Sequence, residues 1–155
     1  MTIAIVAAEA GAASADVPIL PALIAVPLFT AILILLIPKH RDQELKLAAL
    51  VGSSITAALS VWVMWNFDKA DAGLQFVTQR EWSTELGLTW FLAVDGISLF
   101  LVVLSGILFP IAILATQPHH DPKPYYFWLM LLMTGSMGVF MALDLLLFFL
   151  FFEIV

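Results

Sequence analysis

The sequence has no cysteine, which excludes a disulfide framework, an iron–sulfur cluster and any thiolate metal site. Charge is scarce as well. Only 12% of the 155 residues are Asp, Glu, Lys or Arg, about half the share carried by a soluble globular domain. Positive charge is the rarer sign, with 6 Lys and Arg against 12 Asp and Glu and a net charge of −6. No basic patch is available for nucleic acid, so none is expected as a partner. No phosphate loop, nucleophile triad, dinucleotide fingerprint or haem-ligand pair occurs, and no redox cofactor is expected on this chain.

What is abundant is apolar side chain, at 63% of residues. A chain of this size cannot hide that much apolar surface in water, and lipid resolves the excess. A helix needs about 20 apolar residues to cross a hydrocarbon core of about 30 Å. Val17–Pro38, Leu47–Phe67, Ile97–Thr116 and Tyr125–Leu143 each supply such a run free of charged side chains. Pro27 and Pro110 fall inside the first and third, where Pro27 is expected to kink its helix. Trp62 and Trp65 close the second run, and Tyr125, Tyr126 and Trp128 open the fourth, as interfacial anchors do. A fifth run starts at Leu145 and is still apolar when the sequence reaches Val155. The expected fold is therefore all-α: a polytopic transmembrane bundle of four full helices and the first half of a fifth. The eleven residues of that last run reach about 16 Å, so continuation beyond Val155 is expected.

Residues 1–155 read as one membrane domain. The opening segment 1–16 lacks Lys and Arg and is interrupted by Glu9, so it reads as a short extracytoplasmic tail, although its small residues would also suit a cleaved leader. Residues 68–96 form the one sizeable loop, in which Leu86–Leu92 alternates as a short strand or hairpin would. Lys39, Arg41, Lys46 and Lys123 lie on one side of the predicted membrane, and Lys69 and Arg80 on the other. This positive-inside bias puts the N-terminus and the 68–96 loop outside. The expected location is the bacterial plasma membrane in preference to an organellar inner membrane.

Glu153 is the most informative residue. It follows an eight-residue run of Leu and Phe and sits about 12 Å along its helix. An acid at the centre of a membrane helix costs about 3 kcal/mol. A protonated Glu held by a neighbouring helix for packing would satisfy it. A proton-carrying or ion-pairing role on a transport path is the default meaning of such an acid. Asp144 and Asp95 precede the fifth and third helices, where a carboxylate caps free N–H groups; proton access is the second reading for both. His119 and His120, beside Asp121, read as a solvated loop pair. Gly135, Gly138 and Ala142 form one small-residue stripe and Ser53, Ala57 and Ser60 another, suited to close helix approach. Met130, Met133, Met137 and Met141 read as gap-filling residues.

Two stretches resemble a known family. Trp82–Leu88 followed by Phe91–Leu99 (FLAVDGISL) resembles the signature before the third helix of the antiporter-like, proton-pumping membrane subunits of NADH:quinone oxidoreductase (respiratory complex I). Gly135–Asp144 with the run to Glu153 resembles their segment leading into the fifth helix, most closely in the M-type (chain 4) branch. The resemblance implies a larger bundle with inverted repeats, in which Glu153 matches an acid that pairs with a Lys two helices later. It also implies that NADH, flavin, iron–sulfur clusters and quinone are handled by partner subunits, while this subunit moves protons beside other membrane subunits. Phe152 stands where the family commonly has Trp. A multisubunit cation/proton antiporter and a purely structural membrane subunit are the competing classes.

Overall fold

The computed structural model describes residues 18–70, 73–83, 88–118 and 121–155. Helices α1 (Ile19–Leu36) and α2 (Asp42–Trp65) are followed by strands β1 (Gln75–Ser83) and β2 (Leu88–Val94). Helices α3 (Gly96–Ala115), α4 (Pro122–Met141) and α5 (Leu145–Ile154) complete the order. This is the all-α bundle expected, with one hairpin added. The 1–16 tail and His119–His120 lie outside the described residues.

Helices α1, α2 and α3 are long and apolar enough to cross a membrane. The 20-residue α4 opens on Pro122-Lys123-Pro124-Tyr125-Tyr126 and is less apolar. Its position explains why that is tolerated: α4 packs against all four other helices. A helix sheathed by protein presents little surface to lipid. Its core face carries Met130, Met133, Met137 and Met141, each at most 1% exposed, at the spacing of one helix face. By contrast α3 turns Phe100, Leu104, Ile107 and Leu108 outward, as a helix facing hydrocarbon does. Helix α1 runs without a break through Pro27.

Small residues set the helix spacing. A Cβ on Gly52 of α2 would run into Thr30 of α1, and one on Gly106 of α3 would run into Ser60 of α2. The hydroxyls at these contacts are satisfied by their own helices. Thr30 donates to the Val26 carbonyl at 2.8 Å, Thr56 to Gly52 at 3.0 Å and Ser60 to Ala57 at 2.8 Å. Buried hydroxyls therefore cost little in lipid while leaving the backbones close.

The two ends of the bundle differ. At the basic end, Lys46 Nζ donates to the carbonyls of Leu114 (3.3 Å) and Thr116 (3.2 Å), where α3 finishes. Lys123 Nζ does the same for Leu35 (2.7 Å) and Ile37 (2.8 Å), where α1 finishes. A cation on unpaired C-terminal carbonyls satisfies them and suits the helix dipole. Two of the basic residues that carry the topology signal thus also tie one helix start to another helix end.

At the opposite end the strands pair antiparallel, Thr78 opposite Leu92 and Arg80 opposite Trp90. The sequence pattern pointed to a short strand or hairpin at Leu86–Leu92, which overlaps only the second strand. β1 was hidden by a register shift between Gln75 and Thr78, where Phe76 takes a left-handed backbone (φ 54°) and the alternation breaks. The Phe76 ring lies 6.5 Å from that of Trp62 at the end of α2.

Candidate functional site

Two of the three acids named from sequence, Asp95 and Asp144, stand at the hairpin end as helix caps. Asp95 caps α3: its carboxylate accepts from the backbone N–H of Ile97 (3.1 Å) and Ser98 (2.7 Å). The Ser98 hydroxyl in turn accepts from the Asp95 N–H at 2.9 Å, closing a reciprocal box. Asp144 caps α5 in the same way, accepting from Leu146 (2.9 Å) and Leu147 (3.1 Å). Its second oxygen accepts from Thr89 Oγ1 of β2 at 3.2 Å.

The hairpin is thereby fastened to the start of α5. Leu143 N–H donates to the Phe91 carbonyl at 3.0 Å, Leu92 bridges Ala142, and Trp90 meets the Phe151 ring edge-on at 6.2 Å. The α4–α5 connection acts as a short third strand against β2. This coupling between residues more than fifty apart has no local sequence signal.

Hydrogen bonds to the charged form hold both carboxyls below the ordinary aspartate value, led by Ser98 N–H for Asp95 and Leu147 N–H for Asp144. A depressed folded-state value means that capping stabilises the fold above the unfolded carboxylate pKa and is lost as pH falls through the folded one. Hydrogen exchange should therefore show protected amides at Ser98 and Leu147 from neutral to mildly acidic pH, with protection failing only in strong acid. Asp95→Asn and Asp144→Asn should each flatten that dependence at its own helix. Loss of protection beginning well above the ordinary carboxylate range contradicts the assignment.

Glu153 lies elsewhere. Helix α5 docks on α4 through Leu147 and Phe151, each 4% exposed. The small-residue stripe receives them: a Cβ on Gly138 would occupy the Phe151 ring, and one on Gly135 would lie 2.8 Å from Val155 and 3.1 Å from Ile154. Gly135 stands 13 residues into α4 and 6 before its end, so the Glu153 turn lies within the length of α4, nearer its hairpin end. Two residues beyond Phe151, Glu153 is rotated about 200° away from that contact and is exposed on the outer face of α5. The stripe seats the aromatic ring and turns the acid outward. Among the described residues Glu153 has no hydrogen-bond or ion-pair partner. Its helical neighbours are the stacked rings of Phe148 and Phe152, 6.0 Å apart, and Phe149. No group of three or more His, Asp or Glu gathers among the described residues.

A bundle of apolar helices, three of them long and apolar enough to cross a membrane, with cross-helix lysine caps defines an integral, polytopic α-helical membrane protein. Over about nine-tenths of its length it is homologous to NAD(P)H-quinone oxidoreductase chain 4. Identity is 38% over 143 residues with that protein of Synechococcus elongatus, covering 91% of this chain and 27% of the relative. It is 38% over 143 residues with the Microcystis aeruginosa protein, covering 91% and 26%, and 34% over 139 residues with the Trichodesmium erythraeum protein, covering 88% and 25%. The chain thus spans about a quarter of the length of the curated relatives it matches. No family model matches it.

Proposed function

We propose that this chain forms part of a proton-translocating membrane subunit of NAD(P)H-quinone oxidoreductase, and that Glu153 takes up and releases the proton. The observation that carries the reading is the exposure of Glu153 on the face of an apolar helix without a partner among the described residues. In hydrocarbon an ionised carboxylate without a partner is costly. A cation supplied by protein outside the described residues would favour the carboxylate, and its withdrawal would favour the acid. Movement of that cation converts a conformational change into proton release and uptake. NAD(P)H oxidation and quinone reduction, with their flavin and iron–sulfur clusters, belong to partner subunits in this reading, and the other membrane subunits flank this one.

The complete complex in closed vesicles tests the assignment. NAD(P)H addition with a quinone present should drive proton movement that an uncoupler collapses. Quinone reduction with no proton movement overturns the reading in favour of a structural subunit. Proton movement driven only by a cation gradient overturns it in favour of a cation/proton antiporter.

The same reading places the 68–96 segment and the hairpin outside a bacterial plasma membrane and the basic end in the cytoplasm. These 155 residues contain no cysteine, so labelling at an introduced one is read against the unsubstituted protein. A cysteine at Gln117 should react with an impermeant maleimide only from the cytoplasmic side, and one at Gln79 only from outside. The reverse pattern contradicts the orientation.

A further inference from the structure

Helix α5 carries the candidate acid, and it packs mainly on two elements, α4 and β2. On the α4 side the Phe151 ring fills the place that a Gly138 Cβ would take. That seat sets how closely α5 approaches α4. Gly138 itself has no side chain to stop the ring from sliding sideways, so the seat does little to fix the roll of α5 about its own axis.

Strand β2 supplies the second hold. The start of α5 is pinned by Leu143 N–H on the Phe91 carbonyl and by Thr89 Oγ1 on the Asp144 carboxylate. Both pins lie at the helix end, where they fix position more than rotation. Seven residues beyond Asp144, on nearly the same face and about 10 Å along the axis, Phe151 meets Trp90 edge-on. The ring centroids are 6.2 Å apart and the planes cross at 75°, a geometry that aromatic pairs favour and that depends on direction. Trp90 is half-buried against the core, and Leu92 and Val94 on the same face of β2 are buried. The strand that carries the indole is therefore anchored in the bundle.

Glu153 stands two residues beyond Phe151 on the opposite side of α5, so whatever fixes the roll of the helix fixes the bearing of its carboxyl. A roll of about 20° carries a group about 6 Å from the axis through about 2 Å, enough to break a hydrogen bond or an ion pair. Taking Glu153 as the proton-carrying group of the proposed function, we propose that Trp90 is its positioning residue. Through the Phe151 ring the hairpin fixes the roll of α5 and with it the direction of the carboxyl.

The test uses the full-length subunit in its complex. Trp90→Leu keeps an apolar side chain and removes the ring edge, whereas Trp90→Phe keeps a ring. Nitroxides at Phe149, one turn before Glu153, and at Leu104, outward on α3, report the roll as a distance between electron spins. Trp90→Leu should shift that distance by about 2 Å or broaden it, and Trp90→Phe should leave it at the wild-type value. In unlabelled complex in closed vesicles, the rate of proton movement per assembled complex should fall several-fold for Trp90→Leu and return with Trp90→Phe. A merely structural contact lowers the yield of complex and leaves that rate unchanged. Phe151→Leu removes the other ring, carries the same expectations and serves if Trp90→Leu does not assemble. An unchanged spin distance in the leucine variants overturns the proposal, and so does a changed distance with proton movement at the wild-type rate. Failure of the underlying reading shows separately, as wild-type proton movement in Glu153→Gln.

Discussion

Glu153→Gln in the full-length subunit should leave the complex assembled while abolishing most proton movement, with NAD(P)H:quinone turnover falling alongside. The substitution keeps the volume and the hydrogen-bonding capacity but can neither release a proton nor attract a cation. The packing of α5 gives no reason for it to disturb the fold, because Leu147 and Phe151 make the contact with α4 and Glu153 faces away. Glu153→Asp keeps the charge with a reach shorter by one methylene and should retain partial activity. Glu153→Ala should resemble Gln if the proton is what matters. A packing role inverts the order: Gln, which still hydrogen-bonds, would be nearly neutral. Ala would then destabilise by about 2–5 kcal/mol, as truncations of buried side chains do. Proton uptake, turnover and the yield of assembled complex, measured together on the three variants, separate the two.

Gly138→Leu should have the largest effect on stability. A Cβ at this position already occupies the space of the Phe151 ring, and that ring is held on its other side by Trp90 of the hairpin. The leucine must push α5 off α4 and strain the attachment of the hairpin to the Asp144 turn. Overpacking of this kind costs about 1–3 kcal/mol, and more where backbone must move. Gly96→Ala provides the comparison, since nothing lies within 4 Å of a Cβ there. Thermal inactivation of the purified complex should come several degrees earlier for Gly138→Leu and be unchanged for Gly96→Ala. Equal behaviour of the two contradicts the role assigned to the α4 stripe.

The helices were legible because lipid imposes length and apolarity together, and four charge-free runs with a fifth interrupted only by Glu153 left little choice. Their limits were less so. An apolar run reports where hydrocarbon lies and not where the backbone hydrogen bonds stop, so α2 takes in the polar Asp42–Lys46 and α4 begins at Pro122. Strand β1 went unseen because the irregularity at Phe76 breaks its period and because Gln75, Thr78, Gln79 and Arg80 read as loop. The roles of Lys46 and Lys123 were invisible for another reason. Each side chain reaches carbonyls some seventy or more positions away, and no local pattern encodes such a pair. At the candidate site, the standing of Asp95 and Asp144 at helix starts was legible from the residues that follow them. The place of Glu153 within an apolar helix was legible from the run before it. Its outward direction was not. It depends on Phe151 being the side chain that fills the space over Gly138, which only the packing of α5 on α4 decides.

In the proposed function the Glu153 carboxyl changes protonation as the complex turns over. Redox-triggered infrared difference spectroscopy of the complete complex reads this directly. A band of a protonated carboxyl in an apolar setting should change on reduction by NAD(P)H, shift on exchange into D₂O and be missing from the Glu153→Gln spectrum. An identical carboxyl band in wild type and Glu153→Gln, with proton movement intact in both, would contradict the account.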